Sequence, residues 1–316
     1  MAALGVAFHH FHGNGHARGQ GSIDADDLRR ILRQIGPDRI LPAGEWLERA
    51  AHGTLGEDDH CLTFDDTLGC QYDVAIPVLR EMGLTACFFV CSAPLTGGVD
   101  AMTLYRHFRA TRFESPEAFY AAFYAAVDAS PCCHRVRQAI LRFNARTYLP
   151  GAAYYGEADR RFRFVRDEVL GPDAYHDLMS RLMADCGVEA RALSRGLWLS
   201  PDQVRELHRQ GHVIGLHSHT HPSRLHRLSP QQQRDEYTEN FRVIRRITGV
   251  APSSAAHPYN SYTPYTLAIL RQLGVSVAFR GNSLRPGGCT LEMPRVDQVD
   301  LLRSAAEVHR PDRAAA

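Results

Sequence analysis

The feature that most constrains this chain is a unit that recurs in its C-terminal half. "LSPDQVRELHRQGHVIGLHS" places Ser200 at a helix N-cap, Pro201 at the first helical position and Gln203 where it closes a capping box. Gly211 then ends the helix and an apolar strand follows. "LSPQQQRDEYTENFRVIRRITG" repeats the pattern with Ser229, Pro230, Gln232 and Gly249, and its Tyr237, Phe241, Ile244 and Ile247 fall on one helical face. "YTPYTLAILRQLGVSVAFR" repeats it again with Thr263, Pro264 and Gly274 before the strand "VSVAF". The first third alternates in the same way. "LGVAFHHF", "HCLTFDD" and "TACFFVCS" read as strands. "DADDLRRILRQIG" and "YDVAIPVLREMG" read as helices, the second with Pro77 shifting its start. Strands and helices alternating through short links give parallel strands and right-handed crossovers. Six to eight such units predict an α/β fold. No glycine-rich phosphate loop follows the first strand, which favours a (β/α) barrel over an open doubly wound sheet.

The rhythm breaks between about residues 97 and 195. "SPEAFYAAFYAAVDAS" and "GPDAYHDLMSRLMADCG" are helical in pattern, with no strand between them. The expectation is one domain over 1–316 carrying a helical insertion, which serves either as a wall over a site or as a surface for forming an oligomer.

Composition excludes several function classes. A formal charge of +1 gives no electrostatic footprint for nucleic acid. No stretch approaches the apolar length of a membrane span. The N-terminus lacks the pattern of a secretory leader, and none of the eight cysteines forms a CxxC pair. The expectation is a cytoplasmic protein with reduced, structural thiols.

Polar residues collect where the strands end, which is where parallel barrels carry their chemistry. "CLTFDDT" ends with Asp65 and Asp66, and "GLHSHTHP" presents His217, His219 and His221. "AAHPYNSY" presents His257, Pro258 and Tyr259, and "AFHHFH" presents His9, His10 and His12. One carboxylate and two imidazoles can hold a divalent ion with positions left open. A second carboxylate alongside can take a proton from water. Residues two apart on an extended run share one face, so spacing alone also admits His219 as a ligand.

Together "LTFDDT", "VLREMGLTACFFV", "HSHTHP", "HPYNSY" and "MPRVD" resemble the NodB-homology domain of the polysaccharide deacetylases, carbohydrate esterase family 4. The resemblance covers about residues 55–96 and 196–300. It implies a distorted (β/α)7 barrel and hydrolysis of an N-acyl group, usually acetyl on an amino sugar. It implies one divalent metal, zinc before cobalt, nickel, manganese or iron, held by Asp66, His217 and His221. Asp65 resembles the catalytic base, and Tyr259 the residue whose backbone N–H holds the oxyanion. His219 falls outside the motif's ligand positions. The chain also departs from the family. Thr67 stands where glycine is usual, which points to a reshaped loop. Ala255 and Ala256 stand where an orienting arginine is usual, leaving Arg295 as the candidate to supply that charge, with a plain structural ion pair as its alternative. The late histidine used as general acid is missing, leaving His257, His10 and His12 as candidates, with His309 near the tail expected to be exposed. Trp198 and Pro258 join His10, His12 and His219 as candidate substrate contacts, Trp198 with a core role as its alternative. The expected substrate is a small amino sugar or a nucleotide- or lipid-linked glycan precursor of bacterial surface polysaccharide. The alternatives are an amidohydrolase acting on a non-sugar amide and a glycan-binding pseudoenzyme.

Overall fold

A computed structural model of the chain describes residues 4–150, 155–283 and 289–302; His309 lies outside them. The chain divides into two compact units, one of Met1–Asp100 with Gly196–Ala316 and one of Ala101–Arg195.

The first unit is built on seven strands among the described residues. They are β1 Leu4–Phe8, β2 His60–Phe64, β3 Cys87–Val90, β4 Val213–Leu216, β5 Ser254–Ala256, β6 Val277–Phe279 and β7 Arg295–Asp297. All pair in parallel, in the order β6-β5-β4-β3-β2-β1-β7. The sheet curls until its edges meet: Met293 N–H donates to Ala278 O and Met293 O accepts from Arg280 N–H, so the residues leading into β7 pair with β6. The result is a nearly closed barrel, as the alternating sequence predicts, of the distorted (β/α)7 form that the family resemblance implies.

The capping signals do what their chemistry dictates. Ser200 with Gln203, and Ser229 with Gln232, close reciprocal capping boxes. Thr263 does the same with Thr266, and Asp24 with Asp27. Each ties down N–H groups that a helix start leaves without partners. Leu28, Ile31, Leu32 and Ile35 of the helix Ala25–Ile35 are buried as one stripe, and so are Tyr237, Ile244 and Ile247 of the helix Pro230–Thr248. Pro77 sits in the first turn of the helix Ile76–Glu81, where its missing N–H costs nothing, and a wide turn over Gln71–Ala75 precedes it.

Alternation along the strands divides the core in two. Val6, Phe8, Leu62, Phe64 and Phe88 pack outward against the helices. Cys61, Cys87, Phe89, Ala256 and Phe279 form a second cluster, in which Trp46 stacks on Phe279 at 5.2 Å. Strands buried on both faces explain why they read as near-continuous apolar runs. All eight cysteines are free, and burial pushes the Cys87 thiol up to about 12, so it behaves as an inert hydrophobe. No described helix is long and apolar enough to cross a membrane.

The second unit is helical, with helices Ala101–Arg112, Pro116–Asp128, Cys133–Ile140, Glu157–Phe164, Gly171–Asp185 and Ala190–Leu193. Phe108, Phe119, Phe123, Phe162 and Tyr175 are its buried aromatic centre.

His212, just before β4, generates a prediction. It is buried, its Nδ1 accepts from Ala86 N–H at 3.1 Å, and its ring meets the edge of Phe88. Burial first, then the nearby Arg80, holds its pKa down to about 4. Free histidine titrates near ~6.5, so between that pH and about 4 the unfolded chain takes up a proton that the folded chain refuses. Stability is therefore expected to fall as pH drops through this window, by at most about 1.4 kcal/mol per pH unit from this group, and to level off below it. Urea unfolding from pH 7 to pH 4 is expected to show a shallower loss for His212→Asn than for wild type. Parallel losses would contradict the account.

Candidate functional site

The site grows out of the C-terminal ends of β1, β2, β4 and β5, and Arg295 reaches it from the start of β7. Asp65 continues the ladder after β2, its N–H donating to Phe8 O at 3.1 Å. The chain then turns left-handed, with φ of 77° at Asp66 and 61° at Thr67. A β-branched residue in that region costs on the order of 1–2 kcal/mol. Thr67 offsets this with a buried hydroxyl that donates to Cys91 O at 2.9 Å. The turn therefore has the geometry glycine allows, reached by a threonine. Gln71 pins it from below, donating to both Asp65 O and His9 O.

The histidine run is not extended. Ser218 has φ of 64° and His221 of 58°, so the chain curls. The N–H groups of His219 and Thr220 both donate to one Glu236 oxygen at 2.8 Å, and the Thr220 hydroxyl reaches the other. Asn240, fully buried, accepts from His217 N–H and donates to Val90 O, which locks the ends of β3 and β4. Curling brings the rings of His217 and His221 to 4.9 Å while sending His219 elsewhere. His219 Nδ1 lies 2.9 Å from Ser92 Oγ.

Hydrogen bonds fix both ring orientations. His217 Nδ1 is 3.0 Å from Ala256 O and so donates to it. His221 Nδ1 is 2.8 Å from Asp100 Oδ2. Both Nε2 atoms are thereby turned toward Asp66 Oδ1, at 3.4 and 3.3 Å. One ligand atom from each of Asp66, His217 and His221 lies within 4.8 Å of the others. Burial opposes ionisation of Asp66, but His221, His217 and His9 outweigh it and hold its carboxyl well below the usual range. Burial also opposes charge on His221, yet Asp100 and Asp66 raise it to about 9. Two buried carboxylates thus call for a cation between them, either a proton on His221 or a metal ion. Two imidazoles with their outer nitrogens already engaged, plus one carboxylate, are the donor set of a catalytic zinc site with open positions. The residues fit a divalent metal.

Asp65 is paired differently. Arg295 approaches it with both arms, Nη1 to Oδ1 at 2.8 Å and Nη2 to Oδ2 at 2.7 Å, while Nε donates to Arg280 O. Both side chains are 3 % exposed. Burial opposes ionisation of Asp65, but Arg295, with His217 and His9, lowers its pKa overall. Arg295 belongs to β7 and Asp65 follows β2, with β1 between them. The guanidinium can cross because Gly5 is its register partner on β1, where a Cβ would lie 2.9 Å from Arg295 Cγ.

The remaining expected residues fall around this centre. Tyr259 has φ of 52°, is half exposed and stacks its ring on His221 at 4.7 Å, with Pro258 buried beside it. His257 is 1 % exposed, lies with Nε2 2.8 Å from Leu291 O, and stacks on Tyr262 at 4.1 Å. Burial holds its pKa down to about 4, so its ring is neutral at pH 7. His10 is partly buried just past β1. His12 meets Ser22 Oγ at 3.1 Å and Asp24 at 3.8 Å, in the loop leading to the first helix. Trp198 is partly buried, bridges to Leu68 and packs on the main core. Three supporting residues carried no sequence signal: Asp100, Glu236 and Asn240. Asp100 reads as a residue before a helix and the next two as polar positions of a surface helix.

A family model described as polysaccharide deacetylase matches residues 173–278. That span contains His217, His221 and Tyr259 and leaves out Asp65, Asp66 and Arg295. Solved structures with the same fold include the Streptococcus pyogenes deacetylase PplD in complex with acetate, at 15 % identity and TM-score 0.55 over 96 % of this chain and 97 % of that one. IcaB from Ammonifex degensii matches at 17 % identity and TM-score 0.54, over 98 % and 97 %. The deacetylase domain of BpsB from Bordetella bronchiseptica matches at 14 % and 0.52, over 93 % and 94 %. A search of the curated proteins finds no match.

Asp100 is predicted to matter through His221. Replacing a carboxylate that orients a ligand imidazole typically weakens metal binding about 10–100-fold. Asp100→Asn is expected to lower zinc affinity by that factor in a chelator-competition titration. Unchanged affinity would contradict its role.

Proposed function

We propose that this chain, whose residues 173–278 match a polysaccharide deacetylase family model and whose barrel resembles solved deacetylase structures, hydrolyses the N-acetyl group of an amino sugar at the centre formed by Asp65, Asp66, His217 and His221. The observation that carries the reading is the convergence of Asp66, His217 and His221 beside a carboxylate held by Arg295. Asp66, His217 and His221 would hold one divalent ion, zinc by preference because two imidazoles and one oxygen suit it. When bound, such an ion polarises the acyl carbonyl and acidifies water.

The chain's own groups do the rest. Asp65 takes the proton of the attacking water; Arg295 keeps it ionised and fixes the plane of its carboxylate, so its free lone pairs point one way. Asp100 and Ala256 O hold the two imidazoles with Nε2 forward. The backbone N–H of Tyr259 donates to the oxyanion as the carbonyl becomes tetrahedral. The ring of Tyr259, exposed at the rim, offers a flat apolar face to a sugar ring.

The substrate class we favour is a small or carrier-linked amino-sugar precursor of surface polysaccharide, handled by a cytoplasmic enzyme. The test is acetate release from nucleotide-linked acetamido sugars and from short N-acetylglucosamine oligomers, with protein of known zinc content. Activity on the precursors is expected, and activity confined to the oligomers would overturn the substrate preference. Asp65→Asn is expected to keep its zinc and lose at least about 100-fold in kcat. Undiminished turnover in that variant would remove Asp65 from the mechanism.

A further inference from the structure

One stretch of the helical unit carries positive charge in excess. Residues 129–168 hold eight arginines, from Arg135 to Arg166, against four carboxylates, Glu157, Asp159, Asp167 and Glu168. Three of those carboxylates are engaged. Glu157 pairs with Arg161, Asp159 accepts from the Tyr120 hydroxyl, and Asp167 takes both arms of Arg166, at 2.6 and 2.7 Å. Arg160 is bound to the carbonyls of Ala145, Tyr148 and Tyr155.

Arg163 is placed differently. Its guanidinium carbon lies 3.7 Å from the centre of the Tyr155 ring. Its Nε is buried and, among the described residues, has no hydrogen-bond partner, an arrangement that costs stability. Two like charges are brought to it. Arg166 comes from three residues on, and Arg109 from the helix Ala101–Arg112. Their guanidinium carbons lie 5.7 and 6.0 Å from the centre of one ring, that of Phe162, the residue before Arg163. Burial, then Arg166 and Arg109, draw the pKa of Arg163 down against the opposing pull of Tyr155 and Asp159. All three arginines are only partly buried, so a solute can reach them while their charges stay poorly screened. Stacking on Tyr155 accounts for Arg163 by itself. It does not account for two further arginines gathered beside it, which repel it unless an anion joins them. Guanidinium forks match phosphate oxygens in shape as well as charge, and three cations suit a group with more than one negative charge.

We infer that the helical unit binds the diphosphate of a carrier-linked sugar, with Arg163 as the principal contact and Arg109 and Arg166 beside it. The choice of a sugar carrier rests on the substrate class proposed above; the anion site rests on the arginines alone.

The test is calorimetric binding to full-length zinc-loaded protein, with inorganic pyrophosphate, a nucleotide-linked acetamido sugar and inorganic phosphate as probes. Wild type, Arg163→Gln and Arg163→Lys are titrated with each. His217→Ala, which lacks a zinc ligand, is titrated with pyrophosphate to separate this site from the metal centre. Wild type is expected to bind pyrophosphate and the linked sugar, and to bind inorganic phosphate at least about tenfold more weakly. Arg163→Gln is expected to lose at least about tenfold in affinity for both diphosphates, as one charge-assisted contact is removed. Arg163→Lys is expected to recover part of that loss, since it keeps the charge without the fork. His217→Ala is expected to bind pyrophosphate as wild type does. Thermal melting separates a purely structural role. Without anion, Arg163→Gln is expected to melt no lower than wild type, because an unbalanced buried cation is gone. Pyrophosphate is expected to raise the melting temperature of wild type and not that of the variant. No binding of pyrophosphate to wild type, or unchanged affinity in Arg163→Gln, would overturn the site, and so would loss of binding in His217→Ala. Inorganic phosphate bound as tightly as the linked sugar would overturn the carrier assignment. Failure of wild type to release acetate from any acetamido sugar would overturn the deacetylase reading, and the carrier with it, while the arginine site would still stand or fall on these affinities.

Discussion

The pairing of Asp65 with Arg295 is the interaction on which the site depends. It joins residues 230 apart in sequence, and both side chains are buried. Removing one partner of such a pair costs about 3–5 kcal/mol, because the other is left as an uncompensated buried charge. The pair exists only because of where the barrel closes. Strand β7 lies beside β1, and Gly5 leaves the space through which the guanidinium reaches the end of β2. Closure of the sheet, the glycine and the charge state of Asp65 are therefore one problem with one solution.

A similar economy governs the histidine run. Its curl comes from Glu236, which accepts two successive N–H groups, and from left-handed backbone at Ser218 and His221. Such backbone is strained for residues other than glycine, and it persists only where surrounding bonds over-determine it. Here they do: Asn240, Asp100 and Ala256 each hold one point of the loop. Asp66, Thr67 and Tyr259 show the same left-handed backbone, so the strain gathers where the polar side chains converge.

How much of this was legible differed by length scale. Caps at Ser200, Ser229 and Thr263 and the stripes behind them were readable, because helix starts and amphipathic faces are local. Parallel strands deliver their ends to one rim, so the meeting of the aspartate pair with the histidine run was readable; the choice of Asp66, His217 and His221 within it came from the family resemblance. Arg295 could be named only as a charge available for Asp65, since the crossing over Gly5 is a fact of register. His219 was ambiguous because period-two spacing describes an extended chain, and this one bends. Asp100 was invisible as a participant: it owes its place to a contact with a residue 121 positions away and sits in no pattern.

The central claim is that Asp66, His217 and His221 hold one ion on which hydrolysis depends. Its most direct test is to titrate zinc into metal-free protein while following both bound zinc and acetate release from an acetamido sugar. The account predicts that both rise together to a break at one equivalent, and that His217→Ala loses the break in binding and in activity. Full acetate release before zinc is added, or an unaltered one-equivalent break in His217→Ala, would contradict it.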